Sequence, residues 1–240
     1  MASYTGRGVH GQVVRVLGLR IVGGDLPEGA TLDMRGLGEE LDVSLTVMRE
    51  SMKVLAGKGL IDARQKRGTF VRERSNWNLL DADIIRWQVE SGAGQRLMRD
   101  LAEVRAIVEP AAAHRAALNR TEGDLRALET ALDAMTHARA HFSADAAEAD
   151  AAFHRALLCA TGNEMLARMD LLLEPGLRER DRVVHSHDQA NDPVPSHRAV
   201  LDAIRDQDPA RAELAMLDLL AKATHDLDRI TGSVSAAHQP

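Results

Sequence analysis

The chain has 240 residues, 45% hydrophobic and 28% charged, values that exclude a disordered or collagen-like polymer. One cysteine, Cys159, excludes a disulfide framework and any site of several thiolates, and no run of eighteen apolar residues is present to span a membrane. Net charge is −6, divided unevenly: residues 1–74 hold 12 Lys and Arg against 9 Asp and Glu, and the remainder holds 18 against 27. A basic head on an acidic body points to a polyanion met by the head alone. With 2% aromatic residues the core must be built from Leu, Val, Ile and Ala, which favours packed helices. The first residues lack the apolar core of a signal peptide, so the expected location is the cytoplasm.

Val9, Val13, Val16, Leu17, Ile21 and Val22 recur at helical spacing and stop at Gly23-Gly24. A turn over 25–29 leads to a short helix marked by Leu37 and Leu41. Ser44 is a good N-cap for a third helix carrying Val47, Met48, Met52 and Leu55. Residues 61–64 and 69–71 read as two strands joined through Gln65-Lys66-Arg67-Gly68. The order is that of a winged helix-turn-helix. Residues 1–73 form this expected domain and 74–92 a linking segment too apolar, with Trp77, Ile84, Ile85 and Trp87, to be a floppy tether.

Beyond Gly94 only helices are expected, giving a mainly α chain with an all-helical antiparallel bundle over 93–232 and a disordered tail over 233–240. The first helix runs past Pro110, which should kink it. The next begins at Thr121, followed by helices over 144–161, 164–173 and about 176–187. One more opens at Pro193 and Pro195, and the last follows Asp208-Pro209.

A recognition helix offers its N-terminal turns to the major groove, and nearby cations hold phosphates. Ser44, Thr46 and Arg49 occupy that end, Arg35 begins the preceding helix, and Lys66, Arg67 and Gly68 make the hairpin tip. Singly each is as easily a solvated surface group; together they form a DNA-binding surface. Residues 8–72 resemble the DNA-binding domain of GntR-family bacterial repressors. The matching runs are Ile21-Val22-Gly23-Gly24, Leu26-Pro27-Glu28-Gly29, Val43-Ser44, Arg49-Glu50, Gly59-Leu60-Ile61 and Arg67-Gly68-Thr69-Phe70-Val71. The family usually has Arg after the helix-opening Ser, whereas this chain has Leu45, which implies a different operator.

In the body, Asp150 and His154 are four apart, so they share one helix face. The pair suits a borderline cation such as zinc or nickel, or equally a helical hydrogen bond. The region resembles the FCD effector domain of the FadR-type branch. That resemblance implies a metal held by Asp150, His154 and His197, the last within Ser196-His197-Arg198-Ala199-Val200-Leu201. The family's fourth ligand falls at Leu219, and His225 lies about 120° off that face, so an open site with water or effector completing the shell is implied.

The linker run Trp77-Asn78-Leu79-Leu80-Asp81-Ala82-Asp83 is similar to that of a subgroup of sugar-acid regulators responding to D-galactonate and its relatives. The implied effector is an aldonate. Arg105, four residues before Glu109, is either the clamp for its carboxylate or an i,i+4 salt-bridge partner; Arg178 and Arg182, with Arg180, are further candidates, and His185 and His187 read as surface histidines.

The expected function is a homodimeric repressor of a sugar-acid catabolic operon that reads an inverted repeat and is released by its effector. A regulator of another carboxylate is the nearest alternative. A metal-dependent hydrolase would need a general base beside an activated water, and no Glu is placed for it.

Overall fold

A computed structural model describes residues 8–92, 94–140, 145–185 and 192–236. Two compact units divide the chain, Met1–Leu97 and Met98–Pro240.

In the first unit α1 (Val9–Val22) buries Val13, Val14, Leu17, Ile21 and Val22 on one face and stops at Gly23, followed by Gly24 in the left-handed region. Asp33 caps α2 (Met34–Glu40) by accepting from the Arg35 N–H. Ser44 caps α3 (Leu45–Gly57), its Oγ accepting from Val47 N at 3.3 Å. β1 (Ile61–Arg64) and β2 (Gly68–Val71) pair antiparallel, with Ile61 opposite Val71 and Arg64 opposite Gly68. Lys66 (φ 70°) and Gly68 (φ 77°) turn the loop between them, and Thr31 adds one bridge to Phe70.

The link segment belongs to this unit. A 3-10 turn at Arg74–Asn76 precedes α4 (Ala82–Glu90), which packs on α1. Contact is closest at Gly18, where a Cβ would lie 2.5 Å from the buried Trp87 ring. Lys58, just past α3, is buried between Asp81 (2.8 Å) and Asp83 (2.7 Å), which neutralise it.

From Gly94 on, the described elements are all helices: α5 (Gly94–Asn119), which starts at the end of the first unit, then α6 (Glu122–Ala140), α7 (Ala146–Ala160), α8 (Glu164–Ala167), α9 (Asp170–His185), α10 (Val194–Arg205) and α11 (Pro209–Ala236) of the second. Here α7 packs on α6 and α9, and α10 packs on α6 and α11. Thr121 and Asp124 bond reciprocally at the head of α6. No helix among the described residues is long and apolar enough to cross a membrane.

Two expectations need correction. The helix expected over 164–173 is the single turn α8, capped by Asn163, after which α9 starts at Asp170 and continues through Glu174-Pro175-Gly176. Gly176 is no boundary: a Cβ there would lie 2.4 Å from Leu101 Cδ1, so its small size permits close helix packing. Helix α5 runs past Pro110, as expected. Helix α11 reaches Ala236, four residues into the expected tail, because extending an existing helix adds a hydrogen bond per residue ordered; residues 237–240 lie outside the described residues.

Candidate functional site

In the second unit, three helices bring the polar cluster together. Helix α7 turns Ala149, Phe153, Leu157 and Leu158 into the core, and Asp150 and His154 share that buried side. His197 comes from the first turn of α10, held by Val200, Leu201 and Ile204 packing behind it, and meets the Phe153 ring edge-on at 4.9 Å. Arg105 and Glu109 project from α5, one turn apart. All five side chains are buried.

Hydrogen bonds fix what each atom offers. His197 Nδ1 lies 2.9 Å from the Pro193 carbonyl, which only accepts, so Nδ1 donates its proton and Nε2 presents a lone pair. That Nε2 is 3.2 Å from Asp150 Oδ1 with no aligned hydrogen-bond partner. A lone pair facing a carboxylate oxygen is repulsive unless a proton or a cation lies between them. His154 Nε2 is 3.7 Å from Asp150 Oδ2. One donor atom from each of Asp150, His154 and His197 can be chosen so that all lie within 4.8 Å of one another. Two imidazoles and a carboxylate with open positions suit a divalent metal.

The charge beside this triad is set by Arg105. Its Nε donates to Glu109 Oε1 at 2.8 Å and its Nη2 to Oε2 at 3.2 Å, while Nη2 also lies 3.1 Å from His154 Nε2. Burial alone would raise the Glu109 carboxyl, but facing Arg105 and His154 outweighs it and holds the group down to about 2. His154 is shifted downward, first by burial and further by Arg105, against the pull of Glu109 and Asp150. A neutral His154 accepting from Arg105 at Nε2 turns Nδ1 toward Glu109 Oε2, 3.0 Å away.

Arg105 also borders a cavity of about 260 Å³, lined otherwise by uncharged and mostly apolar residues of α5, α9 and α11, among them Leu101, Leu173, Leu177 and Leu220. Leu219 is buried on α11, and His225 is exposed. Arg178 is not brought to this cluster: it pairs at the surface with Glu148 (2.6 Å) and Glu174 (2.5 Å). The side chains of Arg180, Arg182 and His185, and all of His187, lie outside the described residues. Glu109 is the member that sequence reasoning treated only as a partner for Arg105; the i,i+4 spacing was its signal, whereas its contact with α7 carried none.

In the first unit, Arg35, Ser44, Leu45, Thr46 and Arg49 are all exposed, and Arg35, Ser44 and Leu45 line one shallow concavity between α2 and α3. At the wing, Lys66 is the exposed tip. Arg67 folds back, its guanidinium 3.7 Å from the Phe70 ring centre and donating to the Gly29 carbonyl at 3.3 Å.

Residues 10–71 match the bacterial regulatory proteins of the gntR family, and residues 100–222, more than half of the chain, match the FCD domain. The chain belongs to the GntR family. Its relatives include the galactonate operon transcriptional repressor of Escherichia coli, 36% identical over 92% of this chain and 97% of that protein. The transcriptional regulator LutR of Bacillus subtilis is 30% identical over 82% and 91%. The solved structure of Lar from Listeria monocytogenes shares the fold, with a TM-score of 0.61 at 18% identity over 93% of this chain and 98% of that one. As a member of the GntR family, the chain is a DNA-binding transcriptional regulator and not an enzyme.

Proposed function

We propose that this regulator represses a sugar-acid catabolic operon in the cytoplasm and is released from its operator by an aldonate bound in the FCD domain. The observation that carries the reading is the position of Arg105, a buried guanidinium in contact with His154 of the Asp150–His154–His197 group. A carboxylate effector needs a fixed cation and an anchor for its α-hydroxyl, and these residues provide for both. The likeness to the galactonate operon repressor supports the choice of a sugar acid.

Zinc or nickel is the metal proposed for the triad, on its two imidazoles and one carboxylate. When bound, such an ion supplies an electrophilic anchor for oxygen ligands. Asp150, His154 and His197 would hold it, His197 being kept in the right tautomer by Pro193, and with Leu at position 219 the remaining ligands would come from water or effector. Arg105 neutralises the effector's charge.

In the head, Arg35, Ser44, Thr46 and Arg49 meet bases and phosphates, and Lys66, with Arg67 and the Gly68 turn behind it, lies against the backbone. Exposed Leu45 offers an apolar contact of the kind that fits a thymine methyl. Two such heads in a homodimer read an inverted repeat.

A second reading rests on the cavity. Its apolar wall beside a single guanidinium also fits a carboxylate with an alkyl portion. Thermal-shift titration of the purified protein with aldonates and with short hydroxy acids, each with and without chelator, decides between them. Stabilisation by aldonates that the chelator removes is the expected result. Stabilisation by the alkyl acids alone overturns the sugar-acid reading.

A further inference from the structure

Glu109 is neither one of the three candidate metal donors nor a residue of the cavity wall. It is nevertheless fully buried and touches a member of each. Its Oε1 accepts from Arg105 Nε at 2.8 Å and its Oε2 from Arg105 Nη2 at 3.2 Å, while Oε2 also faces His154 Nδ1 at 3.0 Å. A carboxyl group that takes two guanidinium N–H bonds side by side does so as the carboxylate, so Glu109 places a fixed negative charge in the interior. No ligand need touch that charge to feel it.

A charge taken out of water is costly unless an opposite charge balances it, so the fixed charges of a buried site limit the charge of its ligand. Among the described residues of the second unit the buried charged side chains are Arg105, Glu109, Asp150 and Asp226. Asp226 lies seven residues beyond Leu219 on α11, about 10 Å along the helix, and belongs to neither the triad nor the cavity wall. His154 and His197 are neutral when they offer lone pairs to a metal. Asp150 and Glu109 carry two negative charges between them, which a divalent ion balances. The single charge of Arg105 then remains, and one ligand carboxylate cancels it. Arg105 is the only charged residue of the cavity lining, so a second negative charge on the ligand finds only uncharged wall beyond it.

We infer that Glu109 is a specificity-determining residue whose fixed charge restricts the effector to acids with one negative charge, excluding aldarates and phosphorylated sugar acids. The inference deepens the sugar-acid reading and rests on its metal and its Arg105 clamp. Glu109 acts without touching the effector: it occupies the Nε and Nη2 edge of Arg105 and leaves Nη1 for a single carboxylate. Were its charge removed, Asp150 and Arg105 would cancel each other. The ion would then leave two positive charges, enough for a dianion.

The test is calorimetry on the zinc-loaded full chain with matched acids, D-galactonate against galactarate and D-gluconate against glucarate. The members of each pair differ in one terminal carboxylate. Wild type is expected to bind the monocarboxylate more tightly by roughly tenfold or more, because a buried like charge costs at least that much. Glu109→Gln keeps the size of the side chain and removes its charge, and should move the ratio toward the dicarboxylate by roughly tenfold or more. Glu109→Asp keeps the charge and should still favour the monocarboxylate. A wild type that binds both members of a pair equally well overturns the inference, and that arm holds even where E109Q does not fold. A folded, zinc-loaded E109Q with an unchanged ratio overturns it as well. If no sugar acid of either charge binds, the sugar-acid reading falls by itself, and lactate against malate then decides the charge rule by the same ratio.

Discussion

Arg105 Nη2 lies 3.1 Å from His154 Nε2, the nitrogen of that ring which faces Asp150. One lone pair accepts either a hydrogen bond or a metal ion. A metal at this nitrogen therefore requires Arg105 to release it, and a carboxylate ligand that draws the guanidinium away favours that release. On the proposed reading, metal and effector would be coupled through this one side chain, each tightening the other by the same factor.

Arg105→Ala separates the two roles of this residue. It leaves the buried Glu109 carboxylate without its bidentate partner, so the metal-free protein should lose about 3–5 kcal/mol in urea unfolding at neutral pH. The same variant should bind metal more tightly in a chelator competition without effector, because His154 Nε2 is freed. A stability loss below about 1 kcal/mol would mean that Glu109 does not depend on Arg105.

His154→Ala removes a metal donor and the acceptor for Arg105 together. Calorimetry should then show no binding of either metal or aldonate, while operator affinity stays near wild type, giving a repressor that cannot be released. Aldonate affinity equal in metal-free and metal-loaded wild-type protein would sink the coupling and return the Asp150–His154 pair to a structural contact.

Gly18→Ala places a methyl 2.5 Å from a ring atom of Trp87, and both residues lie in tightly packed helices. The substitution should cost about 1–3 kcal/mol. It should also shift the tryptophan emission, as α4 moves off α1. An unchanged spectrum with full stability would show that the interface yields freely.

On the head, the two cations should behave differently. Arg49→Ala is expected to cost about 1–3 kcal/mol on the cognate operator and little elsewhere. Lys66→Ala should weaken all sequences alike and flatten the salt dependence. A Lys66 loss restricted to one operator sequence would show that the wing tip reads bases.

Local signals in the sequence were enough for much of this structure. The period of Val13, Leu17 and Ile21, the Ser44 cap and the Gly68 turn each act over a few residues, so the head was legible. The i,i+4 spacing likewise put Asp150 and His154 on one face. What brings His197 and Glu109 to them is the packing of α10 and α5 on α7's surroundings, which leaves no mark at short range. The helix start expected near 176 failed for the same reason: Gly176 answers to Leu101, seventy-five residues earlier, and not to a local boundary. Lys58 carries no local signal either, since Asp81 and Asp83 close around it from beyond the hairpin.

That last cluster bears on how such regulators can be recombined. The family match for the head ends at residue 71, and a chimera joined there would keep Lys58 while discarding the two carboxylates that neutralise it, together with Ile84 and Trp87 of the shared core. The graft would carry an uncompensated ammonium and a stripped apolar face on α1. A transplant that includes α4 keeps both intact, so the portable reading head of this protein is about twenty residues longer than its DNA-contacting motif.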